Sequence, residues 1–212
     1  MTSVKAIFNE RKNEINTYFD YLNQYQPQNA DDALFKILKS NLILMLYNLV
    51  ESSISNAIEE IHNNIHLKSA SFNDLKTELK SLIISNIKNV NSKKFVEDIK
   101  NIATDIIKHS FNAEVKKKLF NGNIDGRKIK EFSDKYGFDS NTDLTKTEDG
   151  NWLITIKNKR NDLAHGTYSF TEVGKDYSIQ DLILMKDKTI NYIESILDNI
   201  EEYLLNDKFK NN

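Results

Sequence analysis

The chain has 212 residues and a formal net charge of −2, with 29 basic residues against 31 acidic ones. This length can bury a substantial core, and one domain is the usual count. The near-neutral charge excludes a general electrostatic attraction to nucleic acid, so any RNA site has to be a local basic patch. The absence of cysteine excludes disulfides and thiolate metal sites. One proline and six glycines favour long helices over a fold with many β-turns.

The first two predicted elements are long helices. Apolar residues recur at three- and four-residue steps over residues 3–25, and Pro27 ends this helix. A second helix is predicted over residues 32–65, and Asp31 or Asp32 can cap its N-terminus. Nearly every residue in Leu42–Val50 is apolar, so we expect this helix to be surrounded at the centre of a bundle.

Three polar side chains of this central helix can carry chemistry. Glu51 directly follows the apolar section, where an unpaired carboxylate is costly. It is either a solvated group on the helix surface, which is the commoner case, or a carboxylate that orients a catalytic side chain elsewhere in the bundle. His62 and His66 are four residues apart, as in metal-binding pairs, but no third ligand is evident. We therefore expect both imidazoles on the surface and no metal site.

Residues 66–144 are less regular and are predicted to form a helical insertion that packs on the same core. Apolar spacing predicts three helices within it, over Phe72–Ile87, Lys93–Lys108 and Val115–Phe120. Asp125 can cap a further helix, Gly126–Tyr136, which Gly137 ends. The lysine clusters of this section are typical of a solvated face.

A Thr-x-x-Glu capping box at Thr145 and Glu148 predicts the start of a helix that extends from about residue 146 to residue 165. Its buried stripe consists of Trp152, Ile156 and Leu163. A loop over residues 166–178 follows, and its aromatic side chains can either stack an unpaired base or anchor the loop on the bundle. The last segment, Ile179–Leu205, is predicted as a short helix leading into a long one.

Side chains suited to catalysis concentrate in the run Arg160–Gly166, at the end of the helix before that loop. Asn161 and His165 are four residues apart and share one helix face, and the glycine can end the helix in the left-handed region. Only three residues of the chain are arginine, so Arg160 suggests a need for the planar donor fork that lysine lacks. The alternative is a structural ion pair and a histidine that only caps the helix.

This run resembles the signature of the HEPN superfamily, which comprises all-α nucleotide-binding domains. The superfamily motif is Arg, four to six residues, then His, often with a polar residue directly after the Arg. Arg160, Asn161 and His165 match these three positions. The resemblance covers roughly residues 30–65 and 145–205, and it implies an all-α, HEPN-like bundle of long antiparallel helices with the helical insertion between them. We expect the whole chain, residues 1–212, to form this single domain.

The segment Gly122–Arg127 and the tail after His165 resemble one bacterial branch of predicted HEPN nucleases. This resemblance implies a metal-independent endoribonuclease without a cofactor, in which Arg160 and His165 are catalytic and Asn161 orients the imidazole. Such a mechanism is chemically sufficient, since RNA carries its own nucleophile, the 2′-hydroxyl. The histidine can transfer protons and the arginine can hold the phosphate. The family's composite sites also imply a homodimer.

The residues around the motif complete this interpretation. Lys157 and Lys159 give the motif helix a basic flank, and Tyr168 could stack a base, so all three are candidate RNA contacts. Glu51 is the candidate orienting carboxylate. The nuclease interpretation points to a toxin or phage-defence RNase with an antitoxin or another partner encoded by a neighbouring gene.

Two other function classes stay open. One is a catalytically silent HEPN-like module that binds a partner protein or a nucleotide. The other is a purely structural helical adaptor, which leaves Arg160 unexplained. The start of the chain lacks an apolar signal core, and the longest apolar run, Leu42–Leu46, is far too short for a membrane span. We therefore expect a cytoplasmic protein with no membrane partner.

Overall fold

A computed structural model describes residues 1–90, 111, 113–120 and 122–211. Within these residues all named elements are helical, and the one pairing of extended backbone is an isolated bridge between Leu75 and Lys210. The α-helices are α1 Thr2–Gln24, α2 Ala33–Leu67, α3 Thr77–Val90, α4 Ala113–Leu119, α5 Gly126–Tyr136, α6 Leu144–Thr147, α7 Trp152–Ala164, α8 Phe170–Lys175 and α9 Ile179–Leu205. The predicted all-α fold is confirmed. The helix predicted over Lys93–Lys108 lies outside the described residues.

Helix α2 forms the centre of the bundle, as its apolar section predicted. Asp32 caps it, since its carboxylate accepts a hydrogen bond of 2.9 Å from the Phe35 amide. Helices α1, α7, α8 and α9 all pack against α2. This helix has 35 residues and is long and apolar enough to cross a membrane, judged by length and composition alone. The short run Leu42–Leu46 had predicted no such helix. Its apolar side chains pack into the bundle core, which is where a core helix places them.

The section between α2 and α6 packs on the same core. Its buried side chains belong to one continuous cluster with those of α2 and α9, among them Leu79, Ile83, Ile129, Phe132 and Tyr136. The helix predicted from Phe72 is interrupted, because Leu75 takes an extended conformation and pairs with Lys210. Helix α5 has the predicted bounds, with Asp125 as its N-cap and Gly137 in the left-handed region at its end.

The predicted capping box at Thr145 is wrong. Asp143 caps α6 instead, and its carboxylate accepts a hydrogen bond of 2.9 Å from the Thr145 amide. Glu148 and Asp149 have φ values of +49° and +55°, which end the helical path after α6. The Glu148 carboxylate accepts a hydrogen bond of 3.1 Å from the Trp152 indole rather than capping backbone. The motif helix α7 therefore begins at Trp152, later than predicted.

Two predictions about the segment after the motif also need correction. The predicted loop contains α8, which a capping box at Ser169 starts. Gly174 lies against α2, where a Cβ atom would come within 1.9 Å of the Lys36 carbonyl oxygen, so only glycine allows this close packing. Helix α9 is a single continuous helix, started by a capping box at Ser178, rather than a short helix followed by a long one.

The expected surface position is wrong for His62 and right for His66. His62 is buried, and its Nε2 lies 2.9 Å from the hydroxyl of Tyr136 in α5. Its ring stacks on Phe111, with 4.1 Å between the ring centroids. Burial lowers the pKa of His62 to about 3. The helix pattern of α2 could not show this, because the groups that cover His62 come from distant parts of the chain.

Candidate active site

The motif residues lie at the C-terminal end of α7, where the chain turns in a Schellman arrangement. Gly166 has a φ of +68°, and its amide donates to the carbonyl of Leu163 at 3.3 Å. The Thr167 amide donates to the carbonyl of Asp162 at 2.9 Å. His165 is the last residue before this turn and is exposed. Its imidazole makes no hydrogen bond to another described residue, so it is accessible to a ligand.

The guanidinium of Arg160 is held by three uncharged groups. Its Cζ lies 4.6 Å from the ring centroid of Tyr47, which is buried in α2. Its Nη1 donates to Asn161 Oδ1 at 2.9 Å and to the carbonyl of Gly122 at 3.3 Å. No carboxylate of the described residues lies within ion-pair distance of this guanidinium. The positive charge of Arg160 is therefore fixed in position but not neutralised.

The segment that follows α4 contacts both Arg160 and Asn161. Gly122 has a φ of +81°, and a Cβ atom there would lie 2.8 Å from Arg160 Nη1. The next residue, Asn123, accepts a hydrogen bond of 3.1 Å from Asn161 Nδ2. Asn161 thus bonds to Arg160 and Asn123 in this structure. The contacts of Gly122 and Asn123 were not predicted from the sequence, although both residues belong to the Gly122–Arg127 segment that carries part of the family resemblance.

Lys157, a candidate RNA contact, bonds to the same segment. Its ammonium lies 2.7 Å from Asp125 Oδ2, and the Asp125 side chain is only 5% exposed. Burial alone would raise the pKa of Asp125, but hydrogen bonds from Arg127 and Lys157 outweigh it and lower the pKa to about 2. Lys157 and Arg127 thus share one buried carboxylate, which holds the Lys157 ammonium within the fold and compensates part of its charge.

Lys159 and Tyr168, the other two candidate RNA contacts, lie together beside the helix end. The Lys159 ammonium is 5.7 Å from the centroid of the Tyr168 ring and 3.5 Å from an Asp176 carboxylate oxygen. Tyr168 is 48% exposed. This arrangement offers a cation and an open aromatic face to a ligand at the motif.

Glu51 lies one turn after Tyr47 on α2. The buried Tyr47 hydroxyl is close to the Glu51 carboxylate and to the Ile124 backbone, but makes no hydrogen bond of normal geometry to either. Burial and the Glu51 carboxylate together raise the pKa of Tyr47 to about 12. Glu51 forms no ion pair with a described residue and also lines a groove of about 730 Å³ between α1 and α2. It neighbours the ring that supports Arg160 rather than contacting the motif directly.

The outer face of α7 carries a stripe of at least partly exposed side chains that ends at the motif histidine. Its members are spaced by four, three and four residues and are Ile154, Asn158, Asn161 and His165. Ile154 is 39% exposed. Side chains with this spacing lie along one side of a helix, where a second helix can pack.

Among the described residues no three histidine or acidic side chains are grouped so that they could hold a metal ion.

Comparison with protein families adds a decisive observation. A family model described as HEPN_MAE_28990-like HEPN matches residues 2–209. The chain belongs to the HEPN superfamily. The match includes residues 66–144 as well as the two core segments, and it places the chain among domains of nuclease-type or RNA-binding function. No curated protein and no solved structure matches the chain.

Proposed function

We propose that this HEPN protein is a metal-independent endoribonuclease with Arg160 and His165 as its catalytic residues. The observation that carries the proposal is the state of Arg160, whose guanidinium is fixed by the Tyr47 ring and two uncharged oxygens and keeps its charge for a ligand. A phosphodiester is a suitable ligand, because the planar donor fork of arginine matches two phosphate oxygens. The exposed imidazole of His165 lies on the same helix end.

The chemistry requires three actions at one phosphate. The 2′-hydroxyl oxygen of RNA attacks the adjacent phosphorus, and the bond from phosphorus to the 5′-oxygen breaks. A base takes the proton of the 2′-hydroxyl, and an acid gives a proton to the leaving 5′-oxygen. The pKa of a histidine suits either proton transfer. Arg160 stabilises the charge that develops on the phosphate oxygens.

A homodimer supplies the second proton-transfer group. Each chain offers one histidine at the motif, and acid and base catalysis in one step need two. The exposed stripe on α7 from Ile154 to His165 has the spacing of a helix–helix seam. Two copies that pack along this stripe bring two His165 side chains together. Lys159 and Tyr168 then flank the composite site and bind the RNA strand.

The biological role that fits this enzyme is that of a toxin or phage-defence RNase. General RNA cleavage stops translation, so such an enzyme needs control by an antitoxin or another partner. The alternative is a catalytically silent module that binds a partner protein or a nucleotide. The net charge of −2 and the ion pair of Lys157 with Asp125 favour that alternative, and the experiment below tests it.

The experiment is cleavage of total cellular RNA in excess EDTA by the wild type, His165→Ala and Arg160→Lys. Both variants should lose roughly a hundred- to ten-thousand-fold in rate, because each removes a group that acts in the transition state. Arg160→Lys keeps the charge but loses the fork, so its failure would separate the bidentate role from simple charge attraction. The products should end in a 2′,3′-cyclic phosphate.

Matched controls are available elsewhere in the chain. Arg11→Lys changes an arginine on α1 that bonds to the carbonyl of Asn48, and His66→Ala removes an exposed imidazole of α2. Both should cut RNA like the wild type. Equal cleavage by His165→Ala and wild type, or loss of cleavage in EDTA, would overturn the mechanism. A folded wild type that cuts no RNA, alone or with the product of a neighbouring gene, would favour the binding module.

A further inference from the structure

We infer that Tyr47, Gly122 and Asn123 are positioning residues for Arg160, so that the central helix α2 and the segment after α4 complete the site. None of these residues is part of the Arg-x4-His motif. The catalytic consequence rests on the proposed function, whereas the positioning itself can be measured without RNA cleavage.

Tyr47 provides a rigid surface under the guanidinium. It is 1% exposed and lies in the most apolar part of α2, so its ring cannot move away without opening the core. The Arg160 Cζ lies 4.6 Å from the ring centroid. Ordering an arginine side chain costs rotamer entropy, and the partly desolvated cation–π contact offsets this cost. The ring therefore fixes the depth at which the guanidinium lies.

Gly122 fixes the position of the guanidinium along this surface. Its carbonyl accepts from Arg160 Nη1, and its φ of +81° favours glycine. A Cβ atom at this position would lie 2.8 Å from Nη1, 2.9 Å from Nη2 and 3.2 Å from Cζ. A side chain at this position would force the guanidinium to move from its place on the Tyr47 ring. The glycine is thus required by the contact as well as by the backbone.

Asn123 sets the orientation of the Asn161 amide. Arginine can only donate, so the Asn161 atom that faces Arg160 Nη1 at 2.9 Å has to be the oxygen. The amide nitrogen then needs an acceptor on its other side, and Asn123 Oδ1 supplies it at 3.1 Å. This chain of two hydrogen bonds leaves Arg160 with an acceptor that is neutral. A carboxylate in the same place would bind the guanidinium and compete with a phosphate.

Two glycine variants test the inference with matched backbone strain. Gly122→Ala and Gly137→Ala both place a Cβ atom at a positive φ, +81° and +83°. The new Cβ at position 137 meets its nearest neighbour, the Lys76 Cδ, at an ordinary 3.8 Å, whereas the one at position 122 overlaps Arg160. Only the first variant should therefore displace the guanidinium.

The direct measurement is nuclear magnetic resonance of the arginine side-chain Nε–H groups. The chain has three arginines, so three signals are expected, and Arg160→Lys identifies one of them by its loss. In the wild type the Tyr47 ring should shift the Arg160 signal upfield. Gly122→Ala should move that signal toward the position of a free arginine, and Gly137→Ala should leave it unchanged.

A second pair of variants keeps the test decisive if Gly122→Ala fails to fold. Tyr47→Phe retains the ring and removes a buried hydroxyl that has no hydrogen-bond partner, so the Arg160 signal should stay in place. Tyr47→Leu removes the ring, and the signal should move. In RNA cleavage, Gly122→Ala and Tyr47→Leu should lower kcat by about a hundredfold, the cost of a misplacement of about 1 Å, while Gly137→Ala should stay close to the wild type.

The outcomes separate this inference from the proposed function. An Arg160 signal that moves in Gly122→Ala and not in Gly137→Ala supports positioning. If wild type then cuts no RNA, the nuclease proposal fails and the positioning of Arg160 stands. An Arg160 signal that moves equally in both glycine variants, or in neither, overturns the inference. So does an unchanged signal in Tyr47→Leu.

Discussion

The protein should lose stability as the pH falls from 7 to 5, because His62 is buried as a neutral imidazole. His62 is 6% exposed, and burial lowers its pKa from 6.5 to about 3. In the unfolded chain the same side chain binds a proton below about pH 6.5. Between these two pKa values the unfolded state binds more protons than the native state. The free energy of unfolding therefore rises with pH in this window and falls as the solution is acidified.

The size of this effect follows from the two pKa values. Between pH 7 and pH 5 the loss is about 2 kcal/mol, which for a chain of this length corresponds to roughly 4–8 °C in melting temperature. Urea denaturation at fixed protein concentration and ionic strength measures it. His62→Gln should lose much less stability over the same interval, since the glutamine amide can still form a hydrogen bond with the Tyr136 hydroxyl but does not titrate.

His66→Gln is the matched control, because it removes an exposed imidazole one turn further along α2 and retains His62. Comparison with these variants removes the contribution of the carboxylates, which titrate in all three proteins. The reasoning would be refuted if the wild type and His62→Gln lost equal stability between pH 7 and pH 5. It would also be refuted if His66→Gln abolished the difference.

Two further outcomes are expected. Lys157→Met should lower the free energy of unfolding by about 2 kcal/mol, since it takes a charged partner from the buried Asp125 carboxylate. Lys159→Met should leave urea denaturation unchanged and weaken RNA binding in a filter assay. These roles would be contradicted if Lys159→Met lowered the stability and Lys157→Met did not. Ile154→Glu should turn a homodimer into a monomer in light scattering, whereas Leu184→Glu, at a similarly exposed position on α9, should not. A wild type with the monomer mass and intact RNase activity would refute the dimer.

The sequence by itself determined the features that depend on neighbouring residues. The caps at Asp125 and Gly137 were predicted correctly, and Asp32 is one of the two aspartates predicted to cap α2. A cap bonds to backbone groups within the next or preceding turn, so the local sequence shows it. The motif was recognised for the same reason. Arg160 and His165 lie within the last turns of one helix, and their spacing can be read without knowledge of the fold.

Predictions that depend on distant residues were wrong or incomplete. Leu75 interrupts a helix because it pairs with Lys210, at the other end of the chain. His62 is buried by Tyr136 and Phe111, which the pattern of α2 does not contain. In each case the local sequence allowed the predicted state, and packing against another part of the chain stabilised a different one.

The surroundings of the candidate site were decided in the same way. Gly122 and Asn123 are each 38 residues from their partners in the motif, and Tyr47 is on another helix. Lys157 and Lys159 were equivalent candidate RNA contacts in the sequence, yet only Lys157 forms an ion pair with the buried Asp125. Hydrogen bonds and ion pairs between distant residues depend on where the apolar faces of the helices pack. The motif is therefore visible in the sequence, whereas the groups that hold Arg160 in place follow only from the tertiary structure.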